Sequence, residues 1–373
     1  MKIIMGENLV YRAQVQVGSH HYARLFAKDN DVLWLSIPWN IFLFMKYGVN
    51  GERYLQWNKG NISRVDNMNV WCPLTFVPYR DNFLFRFKKN AERQLKFSCP
   101  NLSKVLKKSG YAECDVLWLT DPRMIYLTQI VKYKKLIYRC VDDLSHFTGI
   151  PKNIVEIEKE LVNKADIVFA TADTLKARLE GYGKEIHELP NGVDYDFFTQ
   201  DSSQIRTKID GLKNVIIYVG TVGEWFDCDF VKYCAEKRPD YNFVIIGPER
   251  TNIEAMKGIS NIHLLGKIDY ASVPAYMKRA SVGIIPFKFS KLVDAVNPLK
   301  LYEYFACGIP VVATDAHEMR KIDSPAKLYS NYDEALSFFD EMMTNETDKN
   351  NLMNFAYENS WQKRYEYILS LIK

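Results

Sequence analysis

Apolar residues fall in short uninterrupted blocks, each followed by a polar or glycine-bearing loop and then by a stretch of helical spacing. The blocks include KIIM (2–5), VLWLSI (32–37), DVLWLT (115–120), KLIYRC (135–140), NVIIYVG (214–220) and IPVVAT (309–314). They do not alternate with polar residues, which is the pattern of strands buried on both faces of a parallel sheet. Intervening stretches carry apolar residues three and four apart, as at Ile154, Ile157 and Leu161, and predict helices. Strand–loop–helix units in two halves predict an α/β chain of two domains. The polar stretch 201–211 has no apolar period and is the expected linker. It separates domains over 1–200 and 212–350, and a helical segment over 351–373 ends the chain.

The most informative stretch is Val296–Thr314, VNPLKLYEYFACGIPVVAT. Asn297 is a preferred N-cap type, Pro298 suits the first helical position, and Gly308 supplies the left-handed stop. Lys300 then lies in the first turn, where unpaired N–H groups and the helix dipole attract phosphate. Glu303 follows one turn on, within reach of a sugar hydroxyl. On spacing alone, the commoner reading of the same pair is a solvated Lys/Glu couple on a helix surface.

Composition narrows the function classes. The 373 residues are 47% hydrophobic and 25% charged, enough for two cores, and the net charge of +4 is too small to indicate nucleic acid. That charge is concentrated. Between Tyr79 and Lys108 nine Lys/Arg face only Asp81 and Glu92, interleaved with aromatics in YRDNFLFRFKKNAERQLKF. Such a patch suits a membrane surface; a solvated helix with its aromatics in the core competes, and RNA binding is disfavoured for want of a motif. The seven cysteines show no paired spacing, as expected of reduced thiols in a cytosolic protein, and no metal site is indicated. MKIIMGENLV is too quickly polar for a signal peptide, and Val32–Met45 is interrupted and too short to cross a bilayer. The expected location is cytoplasmic, with a peripheral place at the inner face of the cell membrane left open.

In open α/β sheets ligands bind beyond the carboxyl ends of the strands. There the sequence places His20 and His21 after the first strand, and Asp142, Asp143 and His146 after KLIYRC. Asp143 or Asp142 is the candidate general base, with His146 or His20 next, because a cleft carboxylate beside a histidine can take a hydroxyl proton. The competing reading makes the aspartates a turn and cap, and the histidines capping or surface residues. In the second half Gly220, Gly223 and Gly247 allow backbone to approach a phosphate or sugar, and Arg250 and Lys267 are candidate contacts. A GxGxxG fingerprint is absent, which disfavours a dinucleotide enzyme.

NPLKLYEYFACGIPVVAT resembles the nucleotide-sugar segment of GT-B glycosyltransferases, most closely bacterial family-4-like enzymes of capsular, teichuronic-acid and other surface polysaccharides. YRCVDDLSHF resembles their Y-D-x-x-D-D-x-x-x-F segment, with Arg139 in place of the first Asp. ADIVFATAD…LPNGVD is similar to the end of their acceptor domain, and SWQKRYEYI to a last helix that crosses back to the first domain. The resemblance implies two Rossmann-like domains facing a cleft, and a metal-independent hexosyltransferase without a cofactor. It assigns Lys300 and the helix end to the donor diphosphate, Glu303 to the ribose, and the loops after Gly247 and Gly266 to the nucleobase of a UDP-sugar; Asn297, Gly220 and Lys267 are further candidate donor contacts. The acceptor would be a hydroxyl of a lipid-linked or growing surface polysaccharide. Retaining members carry a Glu where this chain has Ala295. A GT-B nucleotide-sugar epimerase, or a non-enzymatic binder of nucleotide or anionic lipid, are the alternatives.

Overall fold

Each apolar block becomes a strand with neighbours on both sides, so that its backbone is paired and both faces are covered. The computed structural model describes residues 1–13, 16–42, 52–290, 293 and 296–372. Two units emerge, Met1–Pro190 with Tyr365–Lys373, and Asn191–Arg364.

The first unit contains β1 (Lys2–Glu7), β2 (Asp31–Ser36), β3 (Trp39–Asn40), β4 (Ser63–Val65), β5 (Met68–Trp71), β6 (Leu74–Thr75), β7 (Ser98–Cys99), β8 (Glu113–Leu119), β9 (Lys132–Cys140), β10 (Ile167–Ala170) and β11 (His187–Glu188). Its main sheet runs β11-β10-β9-β8-β1-β2-β5-β4, and β3-β6-β7 form a small second sheet. Every pair in the main sheet is parallel except β4–β5. The chain leaves β1 toward β2 and returns to β8 on the other side, so the topological switch lies between β1 and β8. On one face Trp118 stacks on Phe169 at 6.0 Å beneath helix α1 (Gly18–Phe26). Outside the sheet lies helix α2 (Lys88–Lys96). On the opposite face, helices α3 (Ile154–Lys164) and α4 (Asp173–Glu180) bring Glu158 and Arg178 together as a buried pair. Tyr138 donates to the same carboxylate at 2.7 Å.

The second unit contains helix α5 (Tyr195–Thr199), β12 (Val215–Val219), helix α6 (Cys228–Lys237), β13 (Asn242–Ile246), β14 (Ile262–Gly266), β15 (Val282–Ile285), helix α7 (Leu299–Ala306), β16 (Val311–Thr314), β17 (Lys327–Tyr329), and helices α8 (Tyr332–Thr344) and α9 (Lys349–Glu358). Its sheet is parallel in the order β14-β13-β12-β15-β16-β17, with the switch between β12 and β15. Those two strands pair only at Ile216–Val282 and Ile217–Gly283 before diverging. Tyr304 of α7 enters that gap. Its hydroxyl accepts from Val219 N at 2.9 Å and lies 3.3 Å from Ile217 O. Gly283 makes the room, since a Cβ there would come within 2.7 Å of the Tyr304 ring.

Two expectations about domain limits differ from this division. The units part after Pro190, and residues 201–211 belong to the second. Apolar anchors explain why. Phe198 and Ile209 are buried in its core. Lys278 donates to Thr199 O and Gln200 O at 3.0 and 2.5 Å, and Arg279 holds Ile205 O at 2.8 Å and Asp210 at 2.5 Å. A polar composition thus marks a segment tied down by side-chain donors. The terminal stretch is likewise two helices. The first, α9, stays in the second unit, while α10 (Trp361–Ile372) passes from one unit to the other at Tyr365. There Tyr365 packs edge-on against Phe26 at 5.0 Å, and Lys135 donates to Ile372 O at 2.6 Å.

Tyr304→Phe leaves the buried Val219 N–H without an acceptor. It is expected to lower unfolding free energy by ~1–3 kcal/mol, measured by urea titration, with the ring packing unchanged.

Candidate functional site

The switch point of the second unit collects most of the residues singled out there. Gly220 follows β12 and donates to Ile246 O at 2.7 Å; Gly247 follows β13 and donates to Gly266 O at 2.8 Å. Gly247 has φ +145°, and a Cβ on it would fall 1.8 Å from Gly220 O. Only glycine allows the two loops to touch in this way. A Cβ on Gly220 would lie 2.1 Å from Cε and 2.9 Å from Nζ of Lys300. The lysine therefore lies across the bare backbone at the carboxyl edge of the sheet, with the amino end of α7 beside it. No side chain caps that end among the described residues.

Asn297 is not the cap. Pro298 occupies the N-cap position and α7 begins at Leu299. Asn297 is buried instead, its amide 3.4 Å from Glu318 and its carbonyl accepting from Asn191 at 3.2 Å. Proline's fixed φ allows it to stand at the cap as well as after it, and the buried Glu318 draws the Asn side chain away. Glu303 is half-buried, and burial raises its carboxyl above the ordinary range while Lys300 opposes that shift. No hydrogen bond or ion pair engages its carboxylate among the described residues. Lys267 is exposed directly after Gly266. Asp294 and Ala295 lie outside the described residues.

In the first unit the two aspartates separate in role. Asp143 caps a short 3₁₀ turn, accepting from Ser145 N at 3.0 Å and Ser145 Oγ at 2.6 Å. It also faces His146 at 3.3 Å and Arg178 at 3.5 Å. Burial alone would raise its carboxyl, but Ser145 and Arg178 hold it below the ordinary value. Asp142 is solvent-exposed with no partner for its carboxylate among the described residues, and the surrounding protein raises it. Of the two, Asp142 is the carboxylate free to act, and the exposed His146 is engaged with Asp143.

His20 departs from its expected place in proton transfer. It is fully buried 4.6 Å from the Trp34 ring, its Nδ1 accepts from Val17 N at 3.1 Å, and Nε2 lies 3.2 Å from Val10 O. Both nitrogens are used to shape the loop into α1, and burial lowers the imidazole to about 4.

Beside it lies a group that patterning missed. Glu7 ends β1 at the switch point, takes a 2.6 Å hydrogen bond from Thr120 after β8, and is 2% exposed. Burial pushes its carboxyl up to about 7 against hydrogen bonds from Thr120 and Ser19 and the charge of Arg139. Arg139 is itself buried over the Tyr22 ring at 5.3 Å, with Nε and Nη2 unpartnered. The only sequence signal for Glu7 was its position at the end of the first strand.

Residues 203–342 match the family described as glycosyl transferases group 1. Over 264 residues the chain is 28% identical to TuaH of Bacillus subtilis (strain 168), named as a teichuronic acid biosynthesis glycosyltransferase. The match covers 65% of this chain and 66% of TuaH, so the chain spans just under two thirds of that relative's length. Anabaena Alr3699/HepE, solved with UDP and glucose, superposes with a TM-score of 0.65 at 14% identity, covering 99% of this chain and 98% of that one. The UDP-forming alpha,alpha-trehalose-phosphate synthase of Burkholderia xenovorans, solved with glucose-6-phosphate, gives 0.69 at 11% identity over 100% of both chains. At such identities the likeness is one of fold, and the fold is GT-B.

Glu7 and His20 link stability to pH with opposite signs. A carboxyl raised by folding stabilises below its unfolded value of about 4.5 and loses that contribution as pH rises through about 7. A histidine lowered by folding contributes above 6.5 and loses that contribution as pH falls toward 4. Relative to wild type, Glu7→Gln should therefore gain ~3 kcal/mol between pH 4.5 and pH 8, read from urea denaturation at each pH.

Proposed function

We propose that the protein transfers a sugar from a UDP-sugar to a hydroxyl of a saccharide acceptor in surface-polysaccharide synthesis. The observation that carries this reading is Lys300 lying against Gly220 at the uncapped end of α7. An ammonium, open helical N–H groups and side-chain-free backbone converge there, which is the chemistry a diphosphate requires. In this reading Lys300 and the helix end stabilise the negative charge of the departing UDP without a metal. Glu303, with its unengaged carboxylate, accepts from the ribose hydroxyls. Asp142 takes the proton of the acceptor hydroxyl. TuaH and the UDP complex of Alr3699/HepE support the reaction class and the nucleotide.

The acceptor is proposed to be lipid-linked and reached at the membrane surface. No helix among the described residues is long and apolar enough to cross a membrane. The segment around α2, however, exposes Phe83 (75%), Phe87 (59%) and Phe97 (54%) beside Lys88, Lys89 and Arg93. Phe83, Phe87 and Phe97 are therefore at the surface, whereas Tyr79 of the same segment is buried in the core. Aromatic rings that enter the interface and cations that meet anionic head groups are the two parts of a peripheral membrane contact.

Thermal shift against UDP, GDP, CDP, TDP and ADP should select UDP. Lys300→Ala should abolish that shift and reduce transfer on the order of 10²–10³-fold. Gly220→Ala displaces the flexible end of Lys300 and crowds the Tyr218 hydroxyl at 3.0 Å, so UDP binding should fall with at most a small drop in the melting temperature without nucleotide. No shift with any nucleoside diphosphate at millimolar concentration overturns the reading. Conversion of a UDP-sugar in the absence of acceptor would instead assign an epimerase. Sedimentation with phosphatidylglycerol vesicles, but not phosphatidylcholine vesicles, should be lost in the Phe83→Ser/Phe87→Ser double variant.

A further inference from the structure

The first unit holds a cavity of about 490 Å³ beside the carboxyl ends of β1 and β2, lined by Asn40, Arg53, Tyr79, Arg80, Gln94 and Arg123 among others. Its size lies in the ~300–1,000 Å³ range of small-molecule sites. Two of its amides are more than nine-tenths buried and incompletely bonded. Asn40 is 8% exposed; its Oδ1 accepts from Phe42 N at 2.9 Å, which fixes the amide orientation, and Nδ2 has no partner among the described residues. Gln94 is 7% exposed, and its Oε1 has none among them. A buried polar group left unpaired is costly, so a ligand that pairs with it is favoured. One oriented donor and one acceptor left open in a cavity are what a sugar's hydroxyls would satisfy, and the half-apolar rings of Trp39 and Tyr79 in the same wall suit the C–H face of a pyranose.

Charge narrows the sugar. Among the described residues three guanidinium groups and no carboxylate line the cavity. Arg123 is neutralised by Asp121, which it grips through Nε at 2.9 Å. Arg53 donates to Ile37 O at 3.0 Å and Asn8 O at 2.6 Å, both neutral carbonyls, and pairs with no acid among the described residues. Arg80 is exposed at the rim and pairs with no acid among the described residues. Asp81 lies on the wall of a neighbouring cavity, with Arg86 and Lys88.

We infer that this cavity binds an acidic saccharide, with Asn40 and Gln94 on ring hydroxyls and the Arg80 and Arg53 charges facing its carboxylate or phosphate. Resting on the transferase reading, this is the acceptor sugar, and the acceptor polymer is then itself anionic. Guanidinium suits either oxyanion, since both accept paired N–H donors.

The test is calorimetric titration of the full chain with glucuronate, glucose 6-phosphate and glucose, each with and without UDP. At least one acidic sugar should bind ten-fold or more tightly than glucose, and the stronger of the two identifies the oxyanion. That preference should weaken as salt rises. Arg80→Gln, at the exposed rim, should remove the preference while leaving the melting temperature and the UDP shift intact. Gln94→Leu should weaken acidic sugars and glucose alike. Equal affinity for glucose and both acidic sugars, or an unchanged preference in Arg80→Gln, overturns the inference. A chain that prefers acidic sugars but gives no UDP shift keeps this site and overturns the donor reading instead.

Discussion

The Tyr304 hydroxyl, set between two strands that are moving apart, is the contact on which the carboxyl edge of the second unit's sheet depends. At a switch point neighbouring strands lose their partners, and the freed backbone groups must be satisfied or left buried at a cost. Tyr304 accepts from Val219 N and reaches toward Ile217 O. One side chain thereby replaces the missing ladder and pins α7 to the sheet. Lys300, which lies against Gly220, and Glu303 sit on the same helix, so their placement follows from that hydroxyl. Gly283 is its counterpart, because any side chain there would expel the ring.

The fold was legible to the extent that burial is two-sided. Unbroken apolar blocks gave most of the central strands of both sheets, though not β5 inside the first, and the segment through Thr314 was read correctly as helix, stop and strand. Its first residue was not. Asn297 has the composition of a cap, yet a buried carboxylate nineteen positions past the helix start, Glu318, takes its amide. Local rules rank caps by what a residue can do, whereas tertiary neighbours decide what it does. The 201–211 segment went astray in the same way, since nothing in a polar run reveals that Lys278 and Arg279 reach across to fasten it.

Candidate chemistry followed the same division. The acidic turn was placed correctly at the end of β9, but which carboxylate is free could not be read from two adjacent aspartates. Three-dimensional neighbours decide it, because Ser145 and Arg178 engage Asp143 and leave Asp142 open. His20 looked reactive by type and is structural by burial. Glu7 looked like the polar end of a strand, yet burial holds it near neutrality. Desolvation has no period and no motif, so residues whose chemistry depends on it are the ones a pattern misses.

The contact between Gly247 and Gly220 has an evolutionary corollary. Backbone meets backbone there, leaving no side chain whose size can be traded against a neighbour's, so neither position can drift in small compensated steps. The loops leading away from the pair carry no such restriction. Lineages of this fold can therefore reshape the loops at the carboxyl edge of the sheet while inheriting this point unchanged, which, under the proposed reading, separates the evolution of substrate choice from that of nucleotide anchoring.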